Sequence, residues 1–184
     1  MIFAPDTGAS LGTVVALINT AIAETDALRT SADLEEFLNE QGFTGSRTRN
    51  DAELRSVRQL RSQLGEIWVL DEDQAVEAVN NILRTARALP QLVRHDGWNY
   101  HIHATTPEAP LSERMAVEAA MALVDVLRSA ELSRLRTCAA SDCEAVLLDL
   151  SRNRSKRYCD TGNCANREHV RAYRQRQSQQ KSGL

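Results

Sequence analysis

Four cysteines stand in two matched pairs, Cys138-x4-Cys143 and Cys159-x4-Cys164, with fifteen residues between the pairs and no other cysteine in the 184-residue chain. Paired thiols a hairpin's length apart supply what a closed tetrahedral zinc site requires, since structural Zn2+ takes four ligands and favours thiolate. The alternative for four cysteines is two disulfides, which require an oxidising compartment. The opening residues argue against export. Met1 to Ser10 carries no Lys or Arg and has an acid at Asp6, and the apolar stretch from Leu11 is broken by Asn19 and Thr20. A secretory leader has a basic start and an uninterrupted apolar core. No run approaches the roughly eighteen apolar residues of a membrane span. Spacing and compartment together favour one structural Zn2+ held by Cys138, Cys143, Cys159 and Cys164 in a cytoplasmic protein without a membrane segment.

The segment between the pairs indicates how such a site is built. Glu144 to Leu150 is an apolar stretch of strand length, Ser151 to Ser155 is polar and turn-prone, and Lys156-Arg157-Tyr158 leads back to Cys159. This reads as a hairpin whose ends bring the cysteine pairs together. Gly162-Asn163 supplies the tight backbone of the second pair, and Asn166 to about Gln180 reads as a helix. Knuckle, hairpin and a knuckle opening a helix is the treble-clef order. A helix N-terminus also favours negative charge, so thiolates are well placed there.

These residues resemble the CGNR zinc finger: Cys138-x4-Cys143, Leu148-Asp149-x-Ser151-Arg152-Asn153-Arg154-Ser155, the pair Lys156-Arg157, an aromatic before Cys159, and Cys164-x-Asn166-Arg167. In that family the finger follows a mostly helical N-terminal domain called ABATE, which Ile18-Asn19-Thr20 and Ser31-Ala32-Asp33-Leu34 before Gly42 also resemble. The resemblance implies a stress-linked bacterial transcription regulator that binds DNA. Three positions depart from the family pattern: Ala165 stands for the CGNR glycine, Leu147 for an aromatic and Tyr158 for a Trp. Alanine at 165 is strained if the backbone there needs a positive φ and harmless if the helix has already begun.

Charge divides the chain at the same place. Residues 1–131 carry a net charge of −9 and residues 132–184 a net charge of +6. An acidic body with a basic tail domain makes that domain a candidate nucleic-acid binder. Arg167, Arg171 and Arg174 fall at i, i+4 and i+7 on one face of the C-terminal helix, while Val170 and Tyr173 lie on another face suited to packing on the hairpin. Arginines so spaced reach phosphates, or guanine edges if the helix enters a major groove. Arg152, Arg154, Lys156 and Arg157 extend the candidate surface. The competing reading is local: a tetrathiolate zinc centre carries two net negative charges, and nearby arginines can offset it or hydrogen-bond around it.

The fold expectation is mainly α with small β-hairpins: a helical body over 1–131 and a treble-clef-like zinc finger over 132–184. The body's expected helices carry Leu11, Val14, Val15, Ile18 and Ile22; Leu34, Phe37 and Leu38 after a Ser31 cap; Leu54 to Trp68 after an Asn50–Glu53 capping box; Val76, Val79, Ile82, Leu83 and Ala86; and Leu111 to Ala130. Gly42 ends the second of them, and Ser178 to Leu184 reads as disordered. Between the last two, Gln91 to His95 and Trp98 to Ala104 flank Asp96-Gly97, a strong hairpin signal. Trp98, Tyr100, Ile102 and Ala104 would then face the helices, with Asn99, His101 and His103 on the other side. The two histidines are candidates for a metal or for a ligand-facing surface, though exposed polar positions are the simpler reading.

No enzyme signature emerges. Gly162, Gly8 and Gly12 match no phosphate-binding fingerprint, and a zinc site closed by four thiolates has no open position for water. The expected function is a DNA-binding regulator whose body senses a small-molecule effector or forms a homodimer. The alternative is an adaptor whose finger docks an acidic partner.

Overall fold

The computed structural model describes residues 3–22, 26–94 and 99–182, the side chains of 180–182 excepted. The body contributes α1 (Pro5–Asn19), α2 (Ser31–Glu40), α3 (Asp51–Ile67), α4 (Glu72–Thr85), the hairpin β1 (Gln91–Val93) and β2 (His101–His103), and α5 (Leu111–Arg128). A 3-10 turn, Leu132–Arg134, leads into β3 (Leu135–Thr137), β4 (Val146–Leu148) and α6 (Cys164–Ser182). The result is mostly helical with two small antiparallel sheets, as the periodicity predicts.

Helix α5 is the centre of the body, packed against α1, α3 and α4. Its small residues Ala119, Ala120 and Ala122 let neighbouring backbones approach, and Leu123 and Val126 fill the space with Leu11, Leu17, Leu64 and Val79. Caps fix where the helices start. Thr30, one residue before the expected Ser31, accepts from the Asp33 N–H while the Asp33 carboxylate accepts from the Thr30 N–H, a complete capping box. Asn50 caps α3 through the Glu53 N–H, but the Glu53 carboxylate turns to the N–H groups of Thr48 and Arg49, so that box is half formed. Gly42, at φ +64°, ends α2. Ala130, expected inward, is exposed at φ +53° and terminates α5. Val76 also lies largely outside the core, which α4 enters through Ala75, Val79 and Ile82. Ile22 falls beyond the end of α1 and packs on the cysteine cluster instead.

The first hairpin differs from expectation in register and in facing. Leu92 pairs with Ile102 and Gln91 with His103, one residue out of step with a two-residue Asp96-Gly97 turn; that turn, with His95 and Trp98, lies outside the described residues. Around β2 the faces are exchanged, while Ala104, just beyond the strand, is buried as expected. Tyr100 is 68% and Ile102 44% exposed, while His101 and His103 point inward along a cavity. A one-residue slip moves every side chain to the opposite face, and this two-stranded sheet covers the cavity rather than the apolar core.

The finger also pairs differently. β4 joins β3, before the first cysteine, in register Leu135↔Leu148 and Thr137↔Val146. The 156–158 segment forms no strand and docks by single bonds, Ala139 N–H to Arg157 C=O at 2.8 Å among them. β4 is buried on both faces: Val146 and Leu148 join the body's core, and Leu147 joins the cysteine cluster. Helix α6 runs through Ser182, so residues 178–182 of the stretch expected to be disordered are helical, with 183–184 outside the described residues, and Val170 and Tyr173 are 42% and 57% exposed rather than packed on the hairpin.

Candidate metal centre and basic finger

Each knuckle is set by local backbone. Cys138 donates its N–H to the Ala145 carbonyl at 2.7 Å, and Cys143 closes its turn on the Ala140 carbonyl at 3.2 Å. In the second knuckle Asn163 takes the left-handed conformation, φ +49°, immediately before α6, a conformation asparagine tolerates better than most residues. Ala165 lies inside the first turn of α6 with ordinary helical backbone, so the missing CGNR glycine costs nothing there.

The four Sγ atoms all lie within 4.8 Å of one another. Cys143 to Cys159 is 3.7 Å and Cys159 to Cys164 is 3.6 Å. Tetrahedral zinc with Zn–S of about 2.3 Å has edges of about 3.8 Å, so the donor set fits the ion in element, number and spacing. Cys164 is fully buried, and Cys138 and Cys159 nearly so. Burial pushes Cys159 up, but hydrogen bonds from Thr161 and the neighbouring thiols outweigh it and bring the thiol to about 6. Burial and the other thiols push Cys164 up to about 12. Adjacent thiols cannot all ionise unaided, and a divalent cation removes that conflict.

Sulfur-directed donors surround the cluster. The Thr161 hydroxyl reaches Cys159 Sγ at 3.2 Å, the Cys159 N–H reaches Cys138 Sγ at 3.5 Å, and Arg167 reaches Cys164 Sγ at 3.4 Å. Such donors orient the thiolates and offset their charge.

Asp149 organises the loop between the knuckles. It is fully buried, accepts from the Ser151 N–H at 2.9 Å and hydroxyl at 2.5 Å and from the Lys156 N–H at 3.1 Å, and lies 3.2 Å from Arg136. Burial pushes its carboxyl up, but these hydrogen bonds and the Arg136 charge prevail and hold it below the usual carboxylate range. Buried Arg134 crosses beneath, donating to the Asp149 and Ser151 carbonyls at 2.8 and 3.0 Å and to Glu131 at 2.7 Å. Asp149 stood within the recognised motif without an assigned role; Arg134 carried no sequence signal, since nothing in its neighbours marks an arginine for burial.

The basic candidates divide into two groups. Arg167 and Arg171 both bind Asp142, at 3.0 and 3.2 Å, and Arg171 also pairs with Glu168. Arg154 pairs with Glu131 at 3.0 Å and Lys156 with Asp160 at 2.6 Å. Arg157 lies over the Tyr158 ring, 5.9 Å from its centroid. Arg152 and Arg174 are exposed with no ion pair among the described residues. Asp142, which gathers two of the three helix arginines, was not anticipated.

In the body, His101 and His103 place their Nε2 atoms 3.0 Å apart. Among the described residues the cysteines are the one group of three or more side chains arranged for a metal, so the histidine pair gathers no third ligand. No described helix is long and apolar enough to cross a membrane.

Residues 134–177 match the CGNR zinc finger, and residues 12–130 match ABATE, described as "Putative stress-induced transcription regulator". The chain belongs to the ABATE family. It carries one zinc site, formed by the four clustered cysteines of its CGNR finger. No curated protein matches it.

Proposed function

We propose that this ABATE-family protein regulates transcription by binding DNA through the finger, with Arg152, Arg154, Lys156, Arg157, Arg167, Arg171 and Arg174 as the contacting residues. In this reading the body, bounded near residue 131, senses a small molecule or pairs with a second copy. The zinc fixes the finger's fold and does no chemistry. The observation that carries the reading is α6: beyond Cys164 none of its described side chains is buried, and its arginines stand on a finger of net +6 beside a body of net −9. A solvated basic helix anchored at one end by a metal centre is a shape that reaches into a groove. Asp142 acts as a placeholder in this reading, holding Arg167 and Arg171 until phosphate replaces its carboxylate.

Fluorescence anisotropy of the zinc-loaded protein with random duplex DNA, at several salt concentrations, tests this. Binding whose log K falls with log salt by about 0.9 per phosphate contact, and which an Arg167/Arg171/Arg174→Ala variant loses, is the expected result. No binding at low salt would return Arg167 and Arg171 to their Asp142 contacts, leave Arg174 a solvated side chain and favour the adaptor reading. One observation already gives that reading weight: Arg154 of the finger pairs with Glu131 of the acidic body, so the finger's charge is partly answered within the chain.

A further inference from the structure

The body carries a half-open cavity of about 780 Å3, within the roughly 300–1,000 Å3 range of small-molecule sites. Its walls are the first half of α1, the loop after α2, the histidine face of the β1–β2 hairpin and the first turns of α5. Phe43, Leu89, Val93 and Pro107 give it apolar surface, and Ser10, Thr13 and Thr106 give it hydroxyls.

Its carboxylates and its cations are differently engaged. Asp6, Glu113 and Glu118 line it, and each is partly buried. Asp6 and Glu113 have neither a hydrogen bond nor an ion pair to their carboxylates among the described residues. The cations that line it are otherwise engaged. Arg114 is buried and directs all three guanidinium nitrogens to main-chain carbonyls: Nε to Ala109 at 3.1 Å, and the two Nη to Thr44 at 2.5 Å and Ser46 at 2.6 Å. Its plane rests against Phe43, 5.3 Å from the ring centroid, so it builds the wall. Arg87 is exposed at the rim. His101 Nδ1 lies 2.9 Å from the Asn99 carbonyl, which can only accept, so that nitrogen carries a hydrogen. The Nε2 atoms of His101 and His103 face each other at 3.0 Å, so both rings have partners within the wall.

We propose that this cavity binds a small organic ammonium with an apolar body, its cationic head between Asp6 and Glu113 and its apolar part against Phe43 and the hairpin. The proposal deepens the effector-sensing reading above and rests on it for biological meaning, though not for the binding itself. An anion entering the same space would meet the carboxylates of Asp6 and Glu113, which no described cation pairs with, while the Arg114 donors are already committed to main-chain carbonyls.

The test uses the zinc-loaded full chain and three probes on one skeleton: 4-phenylbutylammonium, 4-phenylbutanol and 4-phenylbutyrate, each titrated by amide proton–nitrogen NMR. The ammonium is expected to shift the amides of Ser10, Thr13, Ala104 and Thr106 and to bind about ten-fold tighter than either analogue. An Asp6→Asn/Glu113→Gln variant, whose spectrum reports its own folding, should lose that preference while binding the alcohol unchanged. Equal or tighter binding of the butyrate or butanol at those amides overturns the ammonium assignment and leaves effector sensing standing. Absence of shifts there with all three probes overturns the cavity as a site. Ammonium binding in the cavity without any change in DNA affinity upholds this proposal and counts against sensing.

Discussion

Gly45 and Asp26 show how single residues hold the body together. Gly45 sits at φ +101°, and a Cβ there would come within 2.9 Å of the Arg114 Cζ, so an alanine is strained in backbone and displaces the guanidinium that ties the loop to α5. Gly45→Ala should destabilise by about 1–3 kcal/mol, read by urea unfolding; an unchanged midpoint would mean Arg114 yields without loss. Asp26 accepts from Arg58 at 2.8 Å and from Arg61 at 2.7 and 2.8 Å, and Arg61 is nearly buried. The Arg61 hydrogen bond, against an opposing cost of burial and with help from Arg58, holds the Asp26 carboxyl far below its ordinary range. A carboxylate lowered in the folded state adds stability that is full above the unfolded value, near 4, and is lost as pH falls through the folded one. Asp26→Asn should therefore cost about 1–3 kcal/mol at neutral pH, less than a fully buried pair because Asp26 is partly solvated. It should also flatten the fall in stability below pH 4. Equal slopes for variant and parent in an acid titration of the melting temperature would refute that account.

At the scale of elements, α1 is the link between body and finger. Asn19 closes its last turn and reads the free edge of β4 like a neighbouring strand, its amide donating to the Val146 carbonyl and its carbonyl accepting from the Val146 N–H, both at 2.9 Å. Asn19→Ala leaves two buried main-chain groups without partners and should cost about 2 kcal/mol. Hydrogen exchange at the Val146 amide is the direct readout, and exchange no faster in the variant would show that the edge is protected by something else. The sequence made the body's helices legible because each has an apolar face at 3.6-residue spacing and α2, α3 and α4 also have a side-chain cap, and it made the metal centre legible because four thiols at matched spacing have few other uses. The hairpins were less legible. Three-residue strands contain too few alternations to fix facing, and the actual partner of β4, Leu135-Arg136-Thr137, looks no more strand-like than the Lys156-Arg157-Tyr158 segment that was expected to pair. The role of Asn19 was hidden for another reason: a side chain that completes a sheet 127 residues away leaves no local pattern.

For the whole molecule, the consequence of β4 being buried on both faces is that the zinc centre and the body are not energetically separate. Leu135, Val146 and Leu148 pack in one core with the helices of the body, Leu147 packs on the cysteines, and Trp68 of the body donates its indole N–H to the Arg136 carbonyl at 3.2 Å. Small zinc domains fold with their metal, because ligand burial and chain ordering are one event. Chelation should therefore unfold the finger, with loss of its protease resistance, and should also lower the melting temperature of the body by several degrees, since it loosens one wall of the shared core. Trp68 reports this directly. In a Trp98→Phe background, the remaining tryptophan is nearly buried against β3, and its emission should shift to longer wavelength when zinc is removed. Cys164→Ser, which removes the fully buried ligand at the start of α6, should reproduce both effects without chelator. A body transition and Trp68 emission unmoved by chelation would mean that the β3–β4 hairpin holds its place on the helices without the metal, and the zinc would then be confined to ordering the two knuckles and the base of α6.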